Sequence, residues 1–239
     1  MNSKTQQLLN NLNQQFYQTV WSEFDVTRQK AWEGWSKLLQ FLWKQPQPLR
    51  VLDAGCGNGR FGEFLTEHIH ELEYVGIDNS AELLTAGRKK LFKGKFIALD
   101  LMNKQRISEL EGTYDVIVLI AVLHHIPSFD ERAALLKRLK QKLNKGGLLI
   151  FTAWQFTKIP QLKERIIPWT KCPDLDQTQL EKNDFLLDWQ RGEHAIRYCH
   201  LIDQKEIERL VETLSLTKVA QFYADGKENQ SNIYVVLQK

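Results

Sequence analysis

Leu49-Arg50-Val51-Leu52-Asp53-Ala54-Gly55-Cys56-Gly57-Asn58-Gly59-Arg60 is the stretch around which this chain is organised. Residues 49 to 53 are mostly apolar and end in an acid, the pattern of a short buried strand. Three glycines then alternate with other residues, and from Arg60 a helical pattern puts Phe61, Phe64 and Leu65 on one side. Strand, glycine loop and helix in that order present backbone N–H groups and a helix N-terminus to a ligand at the strand ends of a parallel sheet. Glycine lets the backbone turn sharply and approach the ligand without a Cβ. Gly57 to Gly62 also matches the dinucleotide pattern G-x-G-x-x-G. In that pattern the first glycine directly follows the strand, a place that here belongs to Gly55, and Gly62 falls inside the helix. An acid at the strand end, Asp53, suits a ligand with a positive group better than it suits a pyrophosphate.

Outward from this centre, strands and helices alternate. Leu72 to Ile77 reads as a second strand closed by Asp78, about 20 residues past the loop, where an acid accepts ribose hydroxyls. Ser80 suits a helix N-cap. Phe96 to Leu99 is a short third strand followed by Asp100 and Leu101. Tyr114 to Ile120, nearly all apolar, belongs in mid-sheet. Ser128 or Asp130 caps a helix whose stripe is Phe129, Ala133, Leu136, Leu139 and Leu143. Its other face (Lys137, Arg138, Lys140, Lys142) reads as a solvated basic face, with an RNA backbone contact as the functional alternative. Lys145-Gly146-Gly147 turns into a fifth strand, Leu148 to Thr152. This alternation predicts an α/β fold with a doubly wound parallel sheet.

The flanks differ. Leu8, Leu9, Leu12, Phe16 and Val20 predict an amphipathic helix over about 5 to 20, and Trp32, Trp35, Leu38, Leu39 and Leu42 a second, ended by Pro46 and Pro48. Residues 1–46 are therefore expected to cap a ligand-binding domain of residues 47–239. Residues 154–200 show no clear period and are expected to be an insertion covering the substrate. Asp203 to Glu206 reads as a capping box for a helix carrying Ile207, Leu210, Val211 and Leu214. Thr217 to Phe222 and Ile233 to Leu237 are expected to be strands around a turn.

The chain has 239 residues, 43% hydrophobic and 26% charged, which bounds it to a globular domain with a sizeable core. A formal charge of +3 does not by itself argue for nucleic acid. Cys56, Cys172 and Cys199 form no C-x-x-C pair, so neither a disulfide frame nor a metal site is expected, and a reducing cytoplasm is the default. No apolar run approaches the roughly 20 residues of a membrane span.

Asp53-Ala54-Gly55-Cys56-Gly57-Asn58-Gly59 resembles the first motif of the class I S-adenosylmethionine (SAM) methyltransferases. Over about residues 49 to 239 the resemblance continues in order. Asp78 resembles the ribose-binding acid, Asp100-Leu101 the pair that meets adenine, and Leu143 to Leu148 the turn into strand five. The final hairpin resembles the one whose last strand runs antiparallel. The resemblance implies a Rossmann-like seven-stranded, mostly parallel sheet. It also implies SAM as cofactor, bound by Asp53, Gly55, Gly57, Gly59, Asp78, Asp100 and Leu101.

A narrower resemblance is to the methyltransferases that esterify the carboxymethyl group on the wobble uridine of tRNA, including the methyltransferase domain of AlkB-type fusion homologues. It rests on Phe24 to Trp32, Ile120 to Ile126, Thr152-Ala153-Trp154 and Ile196 to Leu201. Two departures stand out: Cys199 replaces a tyrosine, and Asn232-Ile233-Tyr234 stands where the family has Asn-Trp-Tyr. The resemblance implies tRNA as partner and a small partner protein on a sheet edge, which an exposed apolar edge near Phe96 to Leu99 would support. A carboxylate nucleophile is ionised at neutral pH and needs no base, so the protein must align the reactants, exclude water and hold the carboxylate by cations. Arg28, Arg197 and His200 are candidates for that hold, and Arg28 alternatively meets the carboxylate of SAM. His124 falls where the loop after strand four meets the methyl group in related enzymes. Trp154 and Tyr198 are candidates to stack a uracil ring. Alternatives stay open: a methyltransferase for a small-molecule O or C acceptor, a SAM-binding regulator or scaffold without activity, and, more distantly, a dinucleotide oxidoreductase.

Overall fold

The computed structural model describes residues 1–26, 30–91, 93–190 and 193–239. Along the chain the helices are α1 (Ser3–Val26), α2 (Glu33–Leu42), α3 (Arg60–His68), α4 (Ala81–Lys90), α5 (Lys104–Ser108), α6 (Phe129–Gln141), α7 (Pro160–Lys163) and α8 (Gln204–Leu214). The strands are β1 (Leu49–Ala54), β2 (Leu72–Asp78), β3 (Lys95–Ala98), β4 (Tyr114–Leu119), β5 (Leu143–Trp154), β6 (Ile166–Ile167), β7 (Asp184–Trp189), β8 (Ala195–His200), β9 (Thr217–Ala224) and β10 (Asn232–Gln238).

A seven-stranded sheet has the order β3-β2-β1-β4-β5-β10-β9. It is parallel from β3 to β5, and β10 runs antiparallel to both β5 and β9. Strand alternation gives the sheet two apolar faces. Leu52, Ile117, Leu149 and Val235 pack under α6 and α8 with Leu136, Leu139, Ile207 and Leu210. Val51, Val116, Ile150 and Val236 pack under α2 and α3 with Trp35, Leu38, Phe61 and Phe64. The strand order turns back between β1 and β4, and at such a switch point the loops at the strand C-termini part to leave a crevice.

The remaining third is more regular than its sequence suggests. Residues 154–200 build a three-stranded antiparallel sheet, β6-β7-β8. α1 is longer than the apolar stripe predicts and lies along β8: Phe16 and Val20 pack on Trp189 and Ala195, and Leu9 on Tyr198 and Leu175. The N-terminal helix and the insertion therefore share a core.

Several local expectations need correction. Leu143 opens β5 instead of closing the α6 stripe. Of the two caps expected for α6, Ser128 is the one in place, its hydroxyl accepting from Glu131 N–H as expected. Lys140 and Lys142 are not merely solvated: Lys140 donates to the Leu214 carbonyl, and Lys142 to those of Ser108 and Leu110. Asp203 caps α8 by accepting from Glu206 N–H, but the Glu206 carboxylate does not complete the box; it turns inward to Arg132 and His200. Phe96 and Leu99 are buried, so the β3 edge is not an exposed apolar one. Among the described residues no helix is long and apolar enough to cross a membrane.

Candidate active site

At the carboxyl ends of β1, β2 and β4 lies a cavity of about 240 Å³. Asp53, Gly55, Gly57, Asp78, Asp100 and Leu101 all line it, and Asn10, Asn13 and Tyr17 of α1 close over it. The sequence forces this shape at the glycines. Gly55 has φ +83°, and a Cβ there would lie 2.4 Å from the Val122 side chain. Gly57, at φ +53°, would meet nothing closer than 4.0 Å, so its missing side chain leaves room beside the loop. Gly59, expected among the ligand contacts, instead caps α3 in a left-handed conformation and does not line the cavity.

The acids divide the work. Asp53 is 2% exposed and accepts one hydrogen bond from the Tyr74 hydroxyl at 2.7 Å. Burial pushes its carboxyl up to about 7, against the lowering pull of that bond, and the charge of Asp78 adds to the rise. No cation pairs with Asp53 among the described residues. A buried carboxylate without a counter-charge favours a ligand that brings one. Asp78 accepts from Gly57 N–H at 2.8 Å with one oxygen and from Ser80 N–H at 2.9 Å with the other. This fixes the carboxylate while leaving a lone pair on each oxygen for a hydroxyl. Asp100 accepts from Met102 N–H and is exposed at the other end. These groups fit SAM, which carries a cationic end, a ribose diol and an adenine amine.

A second cavity, also about 240 Å³, adjoins the first, and Tyr17, Trp32, Ala121 and His125 line both. Ala121 holds φ +57° at this junction, a strained conformation for a residue with a Cβ. Its amide donates to the Thr152 hydroxyl. The other walls include His124, Trp154, Arg197, Asp225 and Asn232. Arg197 is 7% exposed, and its guanidinium lies 4.9 Å from the Trp154 ring centre and 5.1 Å from that of Phe16. It makes no hydrogen bond or ion pair among the described residues. A buried cation so placed calls for an anion from outside. His124 is buried, its ring centre 5.3 Å from that of Trp154 and 4.2 Å from that of His125.

Two expected substrate contacts lie elsewhere. β8 alternates, so Arg197 and Cys199 face the second cavity and His125 while Tyr198 and His200 face away. Tyr198 is fully buried and donates to Asp184 at 2.7 Å. His200 bridges Asp184 at 2.6 Å and Glu206 at 2.7 Å, and Arg132, also fully buried, binds Glu181 and Glu206 at 2.6 Å each. This ion network ties the insertion to α6 and α8; neither Tyr198 nor His200 lines either of these two cavities. Arg28 lies outside the described residues.

Tyr17, Asn13, His125, Asp225 and Asn232 were not singled out as site residues from sequence. His125 Nδ1 lies 3.2 Å from the Tyr198 carbonyl, which can only accept, so that nitrogen holds the proton and Nε2 accepts from the Tyr17 hydroxyl at 2.7 Å. Burial, helped by the charge of Arg197, pushes the imidazole down to about 3, so it is neutral. Asn13 clamps α1 to the site through the His125 carbonyl and the Tyr198 amide. His124, His125 and Cys199 have ligating atoms within 4.8 Å of one another. The hydrogen bonds to both His125 nitrogens and a Cys199 thiol pushed up to about 11 by burial give the trio a stable arrangement of its own.

A family model described as a methyltransferase domain matches residues 9–221. The chain belongs to that methyltransferase family. Among its relatives is a protein of Encephalitozoon cuniculi that carries a methyltransferase name (ECU09_1500), 26% identical over 94% of this chain and 93% of that protein. Another is the tRNA (carboxymethyluridine(34)-5-O)-methyltransferase alkbh8 of Xenopus tropicalis, 25% identical over 93% of this chain; the alignment spans 40% of that longer relative. A SAM-dependent methyltransferase from Clostridium acetobutylicum has the same fold, with a TM-score of 0.66 at 16% identity, covering 93% of this methyltransferase and 98% of that structure.

Proposed function

We propose that this methyltransferase transfers a methyl group from SAM to the carboxylate of a carboxymethyl group on a wobble uridine of tRNA. The observation that carries the reading is Arg197, a buried cation with no counter-ion among the described residues, in an aromatic cavity that opens into the first one. The name of the alkbh8 relative supports the acceptor, and the Asn-Ile-Tyr and Arg-Tyr-Cys-His segments lie on β10 and β8 beside the second cavity.

SAM is the methyl donor, and when bound it supplies a methyl group on a sulfonium for in-line displacement. Asp53 supplies a negative charge to its cationic end, and Asp78 accepts from its ribose hydroxyls. Arg197 receives the acceptor carboxylate, matching it with a planar fork. Because the two reacting charges cancel as transfer proceeds, that contact acts mainly on binding and alignment. Trp154 and Trp32 wall the uracil, and His124 borders the reacting end. α1 keeps water from the junction. Arg28 serves as a second cation for a carboxylate in this reading. A small partner protein would dock on a sheet edge.

The test is incubation with methyl-labelled SAM and tRNA lacking wobble methyl esters, followed by digestion and nucleoside mass spectrometry. Label on carboxymethylated uridine supports the reading. Label in no RNA, with or without added cell extract, overturns it in favour of a small-molecule acceptor.

A further inference from the structure

Asn232 lines the second cavity at 3% exposure. Its Nδ2 donates to Asp225 Oδ2 at 2.8 Å. A carboxylate only accepts, so this bond decides which way the amide points. The carbonyl Oδ1 then finds no hydrogen-bond partner among the described residues. Buried acceptors are rarely left unmet.

Asp225 is a firm anchor for this arrangement. It holds φ +69° and receives three donors: Gly34 N–H at 2.9 Å, the Asn232 amide, and the Tyr234 hydroxyl at 2.7 Å. Asn232 is also the direct register partner of Trp154 across β5 and β10, so the amide and the indole stand side by side on one face of the sheet. Among the described residues, the second cavity thus has an unpaired cation, an aromatic wall and, on a residue that lines it, a buried carbonyl with no partner.

We infer that Asn232 is a specificity-determining residue of this cavity, its Oδ1 receiving a ring N–H donor of a planar acceptor whose anionic arm is held by Arg197. The inference rests on the acceptor reading proposed above and deepens it. A uracil ring offers an imide N–H at N3. A cytosine ring offers a lone pair at the same position and would leave two acceptors facing each other. Aromatic walls alone tolerate either ring, whereas a buried hydrogen-bonding group rejects the one that cannot pair.

The experiment uses the full chain, SAM and two anticodon stem-loop RNAs. One carries 5-carboxymethyluridine at the wobble position, the other its N3-methylated form. The wild type is expected to favour the N3–H substrate by about 10- to 100-fold in kcat/KM, the worth of one buried hydrogen bond. Asn232→Ala is expected to lose most of that preference while binding SAM with unchanged affinity. Equal rates on both RNAs with the wild type, or a preference retained by Asn232→Ala, would overturn the inference while leaving the acceptor reading intact. Should Asn232→Ala fail to fold, the wild-type ratio alone decides. Transfer to neither RNA, with or without cell extract, would overturn the acceptor reading and this inference with it.

Discussion

Arg197 and Trp154 meet face to cation, the guanidinium carbon 4.9 Å from the indole centre. The ring offers the cation partial compensation, about 1–2 kcal/mol when desolvated, well short of what a counter-ion supplies. The arrangement is therefore poised for an anion, and it joins the insertion strand β8 to the end of β5 at the wall of the second cavity.

Replacing this arginine separates binding from stability. Arg197→Met should lower kcat/KM for the acceptor about 100-fold, in line with loss of charge-assisted hydrogen bonds. KM should carry most of the change, and SAM affinity by calorimetry should stay as in the wild type. The free protein should melt at the same or a higher temperature, because an unpaired buried charge is removed. Unchanged turnover would remove the carboxylate-holding role.

The position of Asp53 predicts a pH dependence. Its carboxyl sits near 7 in the free protein because it is buried. Below that pH it is protonated and offers nothing to a cationic ligand; above it the charge is present. SAM affinity should therefore rise between pH 6 and 8 and then level off. Asp53→Asn should bind about 10- to 100-fold more weakly above pH 8 and show a flat profile. Calorimetry across this range checks both, and a flat wild-type profile would contradict the assignment.

The network around Arg132 is a stability element. Arg132→Ala leaves Glu181 and Glu206 without their buried partner and should cost about 3–5 kcal/mol in denaturant unfolding. His200, between Asp184 and Glu206, has a folded pKa raised above its ordinary value: burial opposes the charge, but the hydrogen bonds to the two acids win. Its contribution is fully present below the unfolded pKa of about 6.5 and is lost as pH rises through the raised one. The melting-temperature gap between wild type and His200→Gln should thus narrow from pH 6 to pH 9. A constant gap would show that the charge of His200 does not matter.

The parallel half of the fold was legible because each element has one job. β1 and β4 are nearly continuous apolar runs, the loop glycines sit where the backbone must turn, Asp78 ends β2 and Asp100 lies just past β3. The insertion was opaque for a physical reason. β7 and β8 are covered on both sides, by cavity and by α1 or the ion network, so polar and apolar residues alternate irregularly along them. Without the strand, Arg197, Tyr198 and His200 look equivalent; with it, only Arg197 reaches the cavity. Tyr17 and Asn13 were hidden because α1 reads as an ordinary amphipathic helix until its partner is known. Asn232 was visible only as part of a motif, since its significance lies in an oxygen left unpaired by Asp225.

The acceptor atom proposed for this methyltransferase is a carboxylate oxygen, and the alkali lability of the product tests that assignment. RNA labelled by this methyltransferase from methyl-labelled SAM would be treated with mild base and the released label collected. A methyl ester gives up its label as methanol, which is the result predicted here. Label that stays on the RNA through that treatment would place the methyl group on a ring nitrogen, a ring carbon or a ribose oxygen, and would contradict the role given to Arg197.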